Sequence, residues 1–107
     1  MKHAALADLY FNELTQEVIP FWEQYSLDTD HGGYFTCIDA EHKIFDTDKF
    51  VWLQARQVWM FATLYDGLEK KRSWLKMAES GSDFLEKKGH DGAFNWFFSL
   101  RRDGQPL

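Results

Sequence analysis

The segment from Lys49 to Leu68 constrains this chain more than any other, because it has the length of a helix and apolar residues on nearly all its faces. A helix that is apolar all round is usually buried on every side. The 107 residues provide only about two further helices, which cannot easily cover it. We therefore expect neighbours from outside the chain, either from a homo-oligomer or, more simply, from a missing remainder of the same protein. Thr47 or Asp48 is the expected N-cap. The apolar positions are Val51, Trp52, Leu53, Ala55, Val58, Trp59, Met60, Phe61, Ala62, Leu64 and Tyr65.

Two amphipathic helices flank this central segment. The stretch from Ala4 to Tyr25 carries apolar residues at three- and four-residue steps. Pro20 removes a backbone donor within it and predicts a kink or a break near Ile19. A third helix is predicted from Ser73 to Lys88, so the chain is expected to be mainly α. Its single apolar stripe consists of Trp74, Met77, Ala78, Gly81, Phe84 and Leu85.

Short β-hairpins are predicted between and after the helices. Tyr34 to Ile38 is rich in β-forming residues, and Lys43 to Phe45 is the expected return strand. Another strand is predicted from Ala93 to Leu100, before a strong hairpin-turn signal at Asp103–Gly104. Only three residues follow that turn. We therefore expect residues 1–107 to be an incomplete N-terminal segment of one larger domain.

Charge and cysteine content exclude several classes of protein. Lys and Arg number 12 against 17 Asp and Glu, so the basic footprint of a nucleic-acid-binding protein is absent. Cys37 is the single cysteine, which excludes a disulfide framework. We see neither a secretory signal nor a bilayer-spanning stretch, and a cytoplasmic protein is the simplest expectation. Aromatic residues make up 18% of the chain, which suits a large core or a sugar-binding surface.

Residues with the chemistry of a sugar site share one side of the predicted central helix. Trp52 and Arg56 are four residues apart, so their side chains are expected to be neighbours. Indole rings can stack on sugar faces, and a planar guanidinium can hold sugar oxygens. The alternative, which the residues alone favour, is that Arg56 pairs with a core carboxylate while the tryptophans only pack. The full set on this side is Lys49, Trp52, Arg56, Trp59 and Thr63.

Other candidate sites are weaker. Asp28 and Asp30 resemble the start of a calcium loop, but the expected later ligands are missing, so a structural turn is favoured. Cys37 is expected to be a small core residue rather than a nucleophile. We find no phosphate loop, zinc spacing or serine-nucleophile motif. Four histidines lie near the N-terminus or in predicted turns, which favours surface or loop roles over general-base catalysis: His3, His31, His42 and His90.

Two stretches of the sequence strongly resemble the N-acylglucosamine 2-epimerase family. They are residues 31–37 (HGGYFTC) and residues 46–60 (DTDKFVWLQARQVWM), with Trp22, Trp52 and Trp59 as anchors. The similarity covers essentially the whole chain. It implies an (α/α)6 barrel of twelve helices with a site at its centre, of which this chain would be the N-terminal part, about three helices with short β-hairpins.

The resemblance also implies an isomerase of carbohydrate metabolism that acts on an amino sugar. It would interconvert N-acetylglucosamine and N-acetylmannosamine by deprotonation and reprotonation at C2. Arg56 matches the family arginine that reaches the sugar oxygens, and is the catalytic residue predicted in this chain. Trp52 matches a ring that lines the same site. Lys49 and Gln57 fall within the matched motif and are further substrate-binding candidates, while neither a metal nor a required cofactor is expected.

The acid/base histidines of the family lie on later helices, so this chain alone is expected to be inactive. Some relatives use a nucleotide such as ATP as an effector, and relatives are often dimers. A nucleotide effector and a homodimer are therefore expectations for the full-length protein, whose partner is a small-molecule sugar rather than nucleic acid or a membrane. Two alternatives stay open: a different sugar such as mannose, glucose or cellobiose, or a non-catalytic helical interaction module.

Overall fold

The structure is a computed structural model that describes residues 3–107. Helices dominate it, and the strands are short and pair in two antiparallel two-stranded sheets. None of the helices in the described range is long and apolar enough to cross a bilayer. In chain order the elements are α1 (His3–Glu13), a π-helical turn (Leu14–Val18), α2 (Ile19–Tyr25), β1 (Cys37–Ile38), β2 (Ile44–Asp46), β3 (Lys49–Phe50), α3 (Val51–Gly67), α4 (Arg72–Lys88) and β4 (Ser99–Leu100).

The helix does not break near Ile19; instead its hydrogen-bonding pattern changes in the turn before Pro20. A π-helical turn, Leu14–Val18, joins α1 to α2, and Pro20 lies in the first turn of α2. Proline cannot donate to a carbonyl one turn earlier. A local π-helical turn lets the helical path continue past such a missing hydrogen bond.

The core lies where α3 and α4 pack together and α2 covers one end of the pair. The helix predicted from Ser73 is confirmed with a start one residue earlier, and all six residues of its apolar stripe are buried. Tyr34, from the segment before β1, enters this core fully buried and donates its hydroxyl to the Met77 carbonyl. The central cluster consists of Ile19, Tyr34, Phe61, Trp74, Met77 and Ala78.

Gly81 is the point of closest approach between α4 and its neighbours. A Cβ at this position would overlap the Tyr34 ring and a Val58 methyl group. Although alanine favours helices more than glycine does, we expect Gly81→Ala to lower the free energy of unfolding by about 1–3 kcal/mol, because the core must shift. Urea denaturation measures this. Gly67→Ala is the matched control, since nothing lies within 4 Å of a Cβ there. Equal stability of the two variants would contradict the close packing at Gly81.

The first predicted hairpin is confirmed, with β1 shorter than predicted and β2 of the predicted length but shifted by one residue. β1 pairs with β2 in antiparallel register, Cys37 opposite Asp46 and Ile38 opposite Ile44. In the connecting turn, the Asp39 side chain accepts hydrogen bonds from the backbone N–H groups of residues 41 and 43. Cys37 is half-buried, which partly supports its predicted core role.

The second predicted strand is mostly wrong. Only Ser99–Leu100 of the Ala93–Leu100 segment forms a strand, and its partner is β3 rather than a strand after the turn. Phe94 has a φ of +72°, which is incompatible with extended structure. The 103–104 turn itself is confirmed, because the N–H of Arg101 donates to the Gln105 carbonyl at 2.7 Å and Pro106 bridges back to Leu100.

The start of α3 also differs from expectation. Neither Thr47 nor Asp48 caps it; the N-cap is Phe50, without a side-chain hydrogen bond. The strand β3 runs directly into the helix, and the N–H of Val51 donates to the Phe98 carbonyl at 3.0 Å. The Phe98 carbonyl is therefore the acceptor for a backbone N–H at the start of α3 that a capping side chain would otherwise accept from.

Within the described residues, α3 is covered on only part of its surface. Gln54, Gln57 and Phe61 are its buried residues, whereas Trp52 and Trp59 are 64% and 67% exposed. This agrees with the expectation that the helices of this chain cannot cover all sides of the segment. The open side of α3 carries the candidate site.

Candidate functional site

Arg56 and Trp52 form the contact predicted from their spacing on α3. The guanidinium carbon of Arg56 lies 5.1 Å from the centroid of the Trp52 ring. No carboxylate of residues 3–107 lies within ion-pair distance of Arg56, so the alternative of a core carboxylate partner is not what the structure shows. An exposed guanidinium held over an indole face keeps its N–H donors available to a ligand.

Two adjoining depressions meet at Arg56. The first, the tryptophan groove, has a volume of about 420 Å³ and is lined by Trp52, Ala55, Arg56 and Trp59. The second, the apolar cavity, has a volume of about 390 Å³. Arg56 and Trp59 line both, so one cation can reach a molecule that occupies the two depressions together. The lining of the apolar cavity is Trp22, Thr36, Leu53, Arg56, Gln57, Trp59 and Met60.

Gln57 and Thr36 supply the uncharged polar groups of the apolar cavity. Gln57 is nearly buried, and its Nε2 donates to the Ser26 hydroxyl at 2.7 Å. Ser26 in turn donates to the Trp22 carbonyl at 2.5 Å, which ties the amide of Gln57 to the end of α2. The hydroxyl oxygen of Thr36 is buried and has no hydrogen-bond partner within the described chain. Sequence reasoning missed Thr36, although it lies inside the 31–37 motif.

Lys49 lies away from both depressions. Its side chain is fully buried, and its ammonium donates to the Asp28 carboxylate at 2.7 Å and to the carbonyls of Gly32 and Arg102 at 2.7 and 2.9 Å. An ammonium has three donors, and all three are used. The predicted substrate contact of Lys49 stays a prediction, but its contacts are those of a structural link between three segments.

Asp28 is the centre of that link. Besides Lys49, its carboxylate accepts hydrogen bonds from the Arg102 guanidinium at 3.0 and 3.2 Å and from the backbone N–H groups of Asp30 and His31. Burial raises the pKa of Asp28, but the hydrogen bonds from Arg102 and Lys49 outweigh burial and hold the pKa well below its usual range. Asp28 therefore joins two cations, and the structural-turn interpretation of its loop is the one that the contacts support.

None of the four histidines lines the tryptophan groove or the apolar cavity. His42 stacks on Tyr25 with ring centroids 4.1 Å apart, and His90 packs against Trp96 at 4.7 Å. His3 and His31 are exposed. Within residues 3–107, Arg56 can orient a substrate, but no imidazole stands beside it to move a proton.

The sequence of this chain is similar to those of known sugar 2-epimerases. The family described as N-acylglucosamine 2-epimerase (GlcNAc 2-epimerase) has a model that matches residues 33–107. The N-acylglucosamine 2-epimerases of Mus musculus and Homo sapiens are 42% and 40% identical to this chain over 94 residues. Each alignment covers 84% of this chain and 22% of the relative. The cellobiose 2-epimerase of Bacteroides fragilis is 28% identical over 97 residues.

Solved structures show the same arrangement of helices and short strands. The cellobiose 2-epimerase from Bacillus thermoamylovorans B4167 superposes with a TM-score of 0.85 and 26% identity, over 97% of this chain and 27% of that one. A D-mannose isomerase shares the fold at a TM-score of 0.75 and 15% identity, over 84% of this chain and 23% of that one. The mainly α fold, part of an (α/α)6 barrel, is thereby confirmed. The chain spans about a quarter of the length of these relatives.

Proposed function

We propose, because this chain belongs to the N-acylglucosamine 2-epimerase family, that it supplies the substrate-orienting part of a sugar 2-epimerase. The substrate pair proposed is N-acetylglucosamine and N-acetylmannosamine. The identity of 42% to an N-acylglucosamine 2-epimerase, against 28% to a cellobiose 2-epimerase, favours an acylated amino sugar over a disaccharide.

The observation that carries this proposal is that Arg56 is exposed, unpaired with any carboxylate of the described chain and placed between the two depressions. Its guanidinium has no carboxylate partner in the described chain, rests on Trp52 and borders both depressions. A sugar that opens to its aldehyde form can lose the C2 proton to a base, and the electron pair then gives an enediolate with charge on the C1 oxygen. A fixed cation beside that oxygen stabilises the charge as it develops. Reprotonation of C2 from the opposite face yields the epimer without net oxidation or reduction.

Proton transfer requires bases with pKa values near neutrality. Since no histidine borders Arg56 among residues 3–107, we propose that the bases come from other helices of a complete (α/α)6 barrel, of which residues 1–107 are the N-terminal segment. In the same proposal the full-length protein is a cytoplasmic homodimer of amino-sugar metabolism. It needs no bound cofactor, and ATP acts on it as an effector.

The test is isotope exchange at C2. The full-length protein is incubated in D2O with N-acetylglucosamine, mannose, glucose or cellobiose, with and without ATP, and C2 is followed by NMR. We expect deuterium at C2 and formation of N-acetylmannosamine, with N-acetylglucosamine turned over fastest. The isolated 107-residue chain, the control, should show neither. Faster turnover of another sugar would replace the proposed substrate, and turnover by the isolated chain would refute the division of roles.

A further inference from the structure

We propose that the apolar cavity is the subsite for the acyl group of an N-acylated amino sugar, while the sugar ring lies in the tryptophan groove. This inference rests on the proposed function and assigns its two depressions separate parts of one substrate. It is supported by the lining of the cavity, by two polar groups without partners in the described chain, and by the shared position of Arg56.

The lining of the apolar cavity fits a short acyl chain. Trp22, Leu53 and Met60 provide three apolar walls, one from α2 and two from α3. The carbons of an acyl chain gain free energy when such walls remove them from water. Sugar rings carry hydroxyl groups around their edges and would leave those groups unpaired against the same walls. The acyl group is the one apolar substituent of an N-acylated amino sugar, so it is the part that this cavity suits.

The two polar side chains match the amide of that acyl group. The Nε2 of Gln57 is held by Ser26, whereas its Oε1 accepts no hydrogen bond from residues 3–107. The neighbouring buried glutamine is different, because Gln54 uses both ends of its amide on the backbone of Tyr34, at 2.8 Å each. Gln57 therefore retains an acceptor for an amide N–H. Thr36 retains a hydroxyl that can donate to an amide carbonyl after rotation about χ1.

The position of Arg56 joins the two parts of the substrate. Arg56 and Trp59 line both depressions, so a ring in the tryptophan groove and an acyl group in the apolar cavity can share these two side chains. The amide nitrogen of an N-acylated amino sugar is attached to C2, the carbon whose proton is removed. An acyl group anchored in the cavity would thus fix C2 beside the guanidinium.

The test compares acyl chains of different length in the full-length enzyme. N-acetyl-, N-propionyl- and N-butyrylglucosamine are assayed with the wild type, Leu53→Ala and Met60→Ala. Enlarging the cavity should raise the ratio of kcat/KM for the N-butyryl over the N-acetyl sugar about ten-fold, because one or two methylenes in a pocket discriminate by that order. Leu64→Ala, which removes the same bulk from a residue packed on the core but outside the cavity, should leave the ratio unchanged. An unchanged ratio in both cavity variants would overturn the proposal.

The polar contact is tested with Thr36→Val, for which we expect a loss of about ten-fold in kcat/KM on N-acetylglucosamine. Thr36→Ser should restore most of the lost kcat/KM, and Thr47→Val, which changes an exposed threonine outside the cavity, should have no effect.

Saturation-transfer NMR tests binding of the acyl group independently of the proposed reaction. The acetyl methyl should receive the strongest saturation from the protein even without turnover. Weak saturation of that methyl in an enzyme that epimerises the sugar would refute the subsite and leave the proposed function standing.

Discussion

Replacing Arg56 by alanine is expected to lower kcat of the epimerisation proposed for the full-length protein by about 100- to 1,000-fold, the usual effect of removing one donor to a developing oxyanion. Trp52 would remain, so binding of the sugar ring should weaken much less than turnover. Steady-state kinetics with N-acetylglucosamine measure both quantities. The effect is large because no other cation borders the tryptophan groove within the described chain.

Two further substitutions show whether Arg56 acts through its charge and shape. Arg56→Lys keeps a positive charge but loses the planar fork of donors, and should recover only a part of the lost rate. Arg72→Ala removes an exposed arginine at the start of α4 and should leave kcat and KM unchanged. Near-wild-type turnover of Arg56→Ala would show that the assigned role is wrong.

Replacing Asp28 by asparagine is expected to cost about 3–5 kcal/mol of stability, because it leaves the Lys49 charge buried without its counter-ion. Both side chains of this pair are fully buried. The other neighbours of the Lys49 ammonium are the Phe84 ring, with its centroid 4.7 Å away, and the carbonyls of Gly32 and Arg102, and none of these carries a compensating negative charge. Urea denaturation of the full-length protein measures the loss.

The controls separate the buried pair from its exposed neighbour. Asp30 also contacts Arg102, at 3.1 Å, but its side chain is 72% exposed, so Asp30→Asn should change stability little. Lys49→Met added to Asp28→Asn should recover a part of the loss, because it removes the orphaned charge. A loss as large for Asp30→Asn as for Asp28→Asn would show that the cluster does not act through burial.

The Asp28 carboxylate also makes the stability of the folded chain depend on pH. The pKa of Asp28 is lower in the folded chain than its usual value of 3.8, so folding favours the ionised form. Its contribution to stability is therefore complete above about pH 5 and is lost as the pH falls through 3.8 toward the folded pKa. Urea denaturation at a series of pH values below 5 measures the free energy of unfolding. Its fall with decreasing pH should be smaller in Asp28→Asn than in the wild type, whereas Asp30→Asn should leave it unchanged.

Local patterns in the sequence were enough to predict the Trp52–Arg56 contact of the candidate site, but not the apolar cavity. Trp52 and Arg56 lie on successive turns of one helix, so their contact follows from a spacing of four residues. The buried stripe of α4 follows from the same periodicity. The apolar cavity did not follow, because Thr36 comes from the segment before β1 and Trp22 from α2, and their meeting with α3 depends on tertiary packing.

Long-range contacts explain why the sequence did not predict the ion pairs of the buried Asp28. Asp28 meets Lys49 across 21 residues and Arg102 across 74 residues, separations over which no periodicity relates the partners. Lys49 is a substrate-binding candidate because it falls within the motif of residues 46–60 that resembles the family, and that contact stays a prediction. In the structure Lys49 lies in β3, two residues before α3 starts, and its buried side chain contacts Asp28 and lines neither depression.

The three acceptors of the Lys49 ammonium also set an order of events during synthesis of the chain. The last of them, the carbonyl of Arg102, is made 53 residues after Lys49 itself. Until then the ammonium cannot leave water with all its hydrogen bonds satisfied, and the strand that leads into α3 lacks its anchor. A ribosome that stalls shortly before residue 102 would thus hold a nascent chain whose Trp52 and Arg56 are already made but not yet fixed in place.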